Sequence, residues 1–129
     1  MLVAIAGIFL YFIRPHDQVD FNSEVKPILN KKCITCHGGV RQKADYSLLF
    51  RADALLPAKS GKYPIIPGDP EHSEMIRRIT SDDPEVRMTY RGDPLSSKEI
   101  DILRRWIKQG AKWGDHWAYV AVKKVKVPA

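Results

Sequence analysis

Apolar positions recur along this chain in three patterns, and each predicts a different kind of element. From Leu2 to Ile13 the run is unbroken, and Arg14-Pro15-His16-Asp17 ends it. Twelve helical residues reach about 18 Å, well short of a hydrocarbon core of roughly 30 Å. The run therefore reads as the apolar part of a signal peptide or membrane anchor, with a buried core helix as the competing reading. No Lys or Arg precedes it and no small-x-small cleavage site follows it, so the expectation is an anchor whose true start lies upstream.

The second pattern is helical. Phe21, Val25, Ile28 and Leu29 share one face of a helix that begins near Ser23. Asp20 and Asn22 offer capping oxygens there, Pro27 is tolerated in the first turn, and the helix runs into Cys33. Glu71 to Thr80 reads as a second helix with Met75, Ile76 and Ile79 inward, after the turn Pro67-Gly68-Asp69-Pro70. The clearest helix follows Ser96-Ser97-Lys98-Glu99, a capping box. Its face is Ile100, Leu103, Trp106 and Ile107, and Gly110 stops it. The third pattern is weak periodicity. Gly38 to Pro70 is polar and rich in Gly and Pro, with a short helical turn expected within Tyr46–Phe50 or Ala52–Leu56. A loop of that length in a small domain usually wraps something. The expected organisation is a signal peptide or anchor over 1–18, one domain over 19–114, and an extended basic tail or linker over 115–129.

Composition narrows the class. The chain has 129 residues, of which 44% are hydrophobic and 28% charged, enough apolar material for one small core and too much for wholesale disorder. A formal charge of +6 is scattered. Arg77-Arg78 and Arg104-Arg105 fall inside helical patterns, and no run of like charges with interleaved aromatics marks a nucleic-acid surface. A solvated helix face is the better reading of these charges, though the basic balance could also serve an acidic protein partner.

Chemistry is concentrated at Cys33-Ile34-Thr35-Cys36-His37, which holds both cysteines. Two thiols at this spacing can add to the two vinyl groups of one haem, and the next residue then presents an imidazole to the iron. A thioredoxin-like pair would want a strand before it, whereas a helix comes first here. A zinc site would need a second ligand pair, yet His16, His72 and His116 are dispersed. Two unmodified core cysteines beside a chance histidine are the blandest reading. For the sixth iron position the candidates are Met75, Met88, His72 and His116. Met75 has core spacing and His72 sits in an exposed first turn. Met88 lies in an irregular stretch that can carry a thioether over the haem, and it is the preferred ligand.

The order Phe21, Val25-x-Pro27-Ile28-Leu29, Cys33-x-x-Cys36-His37-Gly38, Ile66-x-Gly68-Asp69-Pro70-x-x-Ser73, Arg87-Met88 and Leu95-Ser96-x-x-Glu99-Ile100 through Gly110-Ala111 resembles the planctomycete-type cytochrome c domain. The resemblance spans about Val19 to Trp117. It implies an all-α cytochrome c-like fold, one covalent haem c on Cys33 and Cys36, His37 as proximal iron ligand and Met88 as distal ligand. In that family two prolines usually follow the methionine, and here Thr89-Tyr90 stand in their place. The tail His116-Trp117-Ala118-Tyr119-Val120 resembles the junction leading into larger exported proteins.

The expected function is single-electron transfer by an exported monohaem cytochrome. It would sit on the periplasmic side of the inner membrane, anchored there or secreted, and serve a redox partner acidic at its docking face. One alternative is the haem domain of a larger exported oxidoreductase or a peroxidase-type enzyme, with His72 or Arg87 assisting peroxide. Another is a haem-bearing interaction module whose iron never cycles.

Overall fold

The computed structural model describes residues 17–114. The apolar run Leu2–Ile13 and the tail from Asp115 lie outside these residues. Among the described residues every regular element is helical and no strand forms. No helix there is long and apolar enough to cross a membrane.

The chain enters through a π-helical turn, Phe21–Val25, that leads into α1, Lys26–Lys32. Asp20 caps it, with Oδ1 accepting the Ser23 amide at 2.7 Å, while Glu24 Oε2 accepts the Asp20 amide at 2.8 Å. These are orphan N–H groups that a helix start must satisfy from side chains. Pro27 sits in the first turn of α1, where its missing N–H costs nothing. Phe21, Val25, Ile28 and Leu29 are all buried, as their spacing predicts. At Cys33 the backbone departs from helical values, with φ −123° and ψ −43°, and a one-turn helix α2 follows over Ile34–His37.

The long connection to Pro70 carries only a 3-10 turn at Lys43–Asp45 and α3, Arg51–Ala54. The next helix, α4, covers Glu74–Ile79, shorter than the Glu71 start predicted from sequence. Asp69 is the reason. Its carboxylate accepts the His72 amide at 3.2 Å and its carbonyl accepts the Ser73 hydroxyl at 2.7 Å, which hold residues 69–73 in a turn.

The last helix, α5, spans Ser97–Lys108 with the predicted capping box complete. Its buried residues are Ile102, Leu103, Trp106 and Ile107; Ile100, expected on this face, is half-buried at the margin instead. Gly110, at φ +97°, closes it: its amide reaches the Ile107 carbonyl at 2.9 Å and the Ala111 amide reaches Trp106 at 3.0 Å. This is the Schellman pattern, for which a left-handed residue is required. Phe21, Trp106 and Trp113 pack ring to ring, with centroids 4.8 to 5.9 Å apart. That aromatic cluster joins the two ends of the domain. The Gln109 side chain adds a polar tie, accepting the Val19 amide and donating to the Asp17 carbonyl.

Candidate haem site

The break at Cys33 sets the site. The Cys33 carbonyl accepts the amides of Cys36 at 3.1 Å and His37 at 3.0 Å, so Cys33, Cys36 and His37 are fixed within one turn. Gly38 follows for a steric reason. A Cβ at this position would lie 2.5 Å from the Ile34 carbonyl oxygen, closer than any side chain could tolerate. The His37 carbonyl then accepts the Leu48 amide at 2.8 Å, which draws the long loop back across the turn.

Between α2, that loop, α4 and the segment around Met88 lies a cavity of about 370 Å³. This is within the range of sites that take a small molecule or cofactor, roughly 300–1,000 Å³. Its wall holds Cys33, Cys36, His37 and Met88 together, along with apolar surface from Leu48, Pro64, Ile79 and Leu95. Met75 lines it too, so the residue read from sequence as core packing has a face on the cavity. His72 is exposed at the surface, its Nδ1 2.7 Å from the Asp69 carboxylate, and neither it nor Arg87 is on the wall. The two side chains that the sequence offered for peroxide chemistry are thus elsewhere. Trp106 belongs to the core and Tyr90 to the wall. His16 and His116 lie outside the described residues.

Three observations bear on what the cavity takes. Both thiols are free, and burial, reinforced by the neighbouring Cys36, pushes the Cys33 thiol up to about 11. A redox pair needs a thiolate near neutral pH, so the environment of Cys33 speaks against that reading. Among the described residues no group of three or more His, Cys, Asp or Glu could hold a metal ion. The His37 imidazole is held below its ordinary range, first by burial, so it keeps a lone pair to donate. Its Nδ1 is buried without a protein partner. An apolar slot with two free thiols, that of Cys33 held protonated, a neutral imidazole and a thioether fits a covalently held haem.

Sequence reasoning missed several wall residues. Tyr46 is buried, donates from its hydroxyl to the Ala54 carbonyl at 3.3 Å and sets its ring edge-on to His37 at 5.4 Å. Glu74 and Arg78, one helical turn apart, also reach the wall. The sequence reading did not single out this pair, and only the packing of α4 shows that it borders the cavity.

Residues 33–88 match the family model described as Planctomycete cytochrome C. The matched stretch begins at the first cysteine of the pair and ends at Met88. No curated protein and no solved structure matches the chain.

Proposed function

We propose that this chain, which carries a planctomycete-type cytochrome c domain, is a single-electron carrier holding one haem c, with His37 and Met88 as the protein ligands of its iron. One observation carries the reading: the Cys33-x-x-Cys36-His37 turn and the sequence-distant Met88 line a single cavity. When bound, the haem supplies an iron that gains and loses one electron.

The chain's own residues supply the rest. Cys33 and Cys36 would hold the haem, each by adding its S–H across a vinyl group to give a thioether tether. His37, fixed by the turn that Cys33 starts, would offer its imidazole to the iron, and Met88 would offer a thioether, a ligand that favours reduced iron and raises the potential. Leu48, Pro64, Ile79 and Leu95 exclude water, which keeps the reorganisation on electron transfer small.

Covalent haem attachment takes place in exported compartments, and the apolar Leu2–Ile13 run supports export with retention at the membrane or secretion. The positive charge of the chain suits an acidic redox partner.

The decisive experiment is an absorption spectrum of protein matured with a haem-c attachment system, oxidised and reduced. A covalent low-spin spectrum with the weak near-infrared methionine-to-iron band is expected, and the Met88→Ala variant should lose that band and gain carbon monoxide binding when reduced. Absence of covalent haem would overturn the reading. A band that survives Met88→Ala would transfer the ligand role to another side chain.

A further inference from the structure

The charged groups on the cavity wall have no part in the ligation just described, and Arg78 is the most constrained of them. Its Nε donates to Glu74 Oε1 at 2.9 Å. Its backbone carbonyl accepts the Met88 amide at 3.1 Å. Its side chain lies on the wall that also carries His37.

Glu74 completes the arrangement. It is buried to 9% exposure and held from the other side by Arg77, whose Nε donates to Oε2 at 2.7 Å. A buried carboxylate is tolerable only when paired and hydrogen-bonded. Arg77 and Arg78 meet that need, with Lys62 Nζ 3.9 Å from Oε2 as a third cation, and these bonds leave little freedom for Arg78 to swing away. Arg77, in contrast, is exposed and off the cavity wall.

We propose that Arg78, clamped by Glu74, is a positioning residue that tunes the reduction potential of the iron held at His37 and Met88. Oxidised iron carries one more positive charge than reduced iron, so a fixed cation on the wall disfavours oxidation and a fixed carboxylate favours it. The same residue steadies the distal ligand through its carbonyl, a contact that side-chain substitutions leave in place. The inference rests on the haem c reading above.

The test is a spectroelectrochemical titration of the full chain with covalent haem, monitored at the haem bands and at the methionine-to-iron band. Arg78→Gln should lower the midpoint potential and Glu74→Gln should raise it, both with the methionine band retained. Arg78→Lys should stay nearer the parent value than Arg78→Gln. Arg77→Gln should move the potential less than Arg78→Gln, because it removes the same charge away from the wall. A purely structural role would drive both glutamine variants the same way, through loosened ligation, and that outcome would sink the proposal. Unshifted potentials with an intact band would also sink it while leaving the haem reading standing. If Arg78→Gln fails to mature, Arg78→Lys and Glu74→Gln decide, and a Glu74→Gln potential that does not rise overturns the assignment. A parent protein without covalent haem or without the methionine band removes the haem reading, and this inference with it.

Discussion

Ser73 is wholly buried, and its hydroxyl works in two directions, donating to the Asp69 carbonyl at 2.7 Å and accepting the Ile66 amide at 2.9 Å. Those bonds tie both sides of the Pro67–Pro70 turn to the start of α4, the helix that carries Glu74 and Arg78. Ser73→Ala leaves the half-buried Ile66 amide and Asp69 carbonyl without this partner, and a fully buried unsatisfied group costs about 1–3 kcal/mol. We expect a loss of about 2 kcal/mol in stability, read by chemical denaturation of the haem-loaded protein; a change within ~0.5 kcal/mol, typical of neutral surface positions, would show that the turn holds without the hydroxyl. The sequence marked Ser73 only through the family resemblance, since nothing in local spacing distinguishes a buried serine from a surface one. Gly38 is similar: a glycine after the haem motif is visible at once, but the Ile34 carbonyl 2.5 Å from its missing Cβ is a fact of folding.

Among the elements, α5 was the most legible, because its signals are local. Ser96 and Glu99 satisfy each other's amides within one turn, and Gly110 supplies a left-handed residue. Its stop also anchors the long loop, since the Ile107 carbonyl accepts both the Gly110 and Gly68 amides, at 2.9 and 2.8 Å. Gly110→Ala forces a Cβ into the left-handed region, at a cost of about 1–2 kcal/mol, and open space around it means no clash adds to that. A thermal midpoint lowered by several degrees, with the haem spectrum unchanged, is the expected result; an unchanged midpoint would mean that the cap relaxes freely. Helix α4 was less legible because Asp69 competes for its first turn through side-chain bonds that periodicity does not register.

For the molecule as a whole, the formal charge of +6 and a haem cavity with Lys32 and Lys43 on its wall suggest where a partner docks. Association with an acidic redox protein should be steered electrostatically, so its second-order electron-transfer rate should fall about tenfold or more as the Debye length contracts from about 30 Å at 0.01 M salt toward 3 Å at 1 M. Stopped-flow mixing with a negatively charged redox protein across that range checks this, and a flat rate would assign the charge to solubility alone.

The sequence by itself determined what short-range chemistry can encode: the thiol pair with its histidine, the caps and stops of α5, the apolar faces of α1 and α5, and an all-helical domain. Each depends on residues within a turn or two of one another, where covalent geometry fixes who meets whom. Tertiary structure decided which distant side chains share the cavity. Met88 and Met75 both reach it, His72 does not, and of the two arginines on Glu74 one lies on the cavity wall while the other stays outside. Those outcomes depend on how a loop of some thirty residues closes over the turn at Cys33, through bonds such as Leu48 to His37, and on how the segment before Met88 folds back on α4 through Met88 to Arg78, links beyond the reach of helical periodicity. No periodicity carries such long-range closure, because it comes from packing and hydrogen-bond satisfaction across the whole fold.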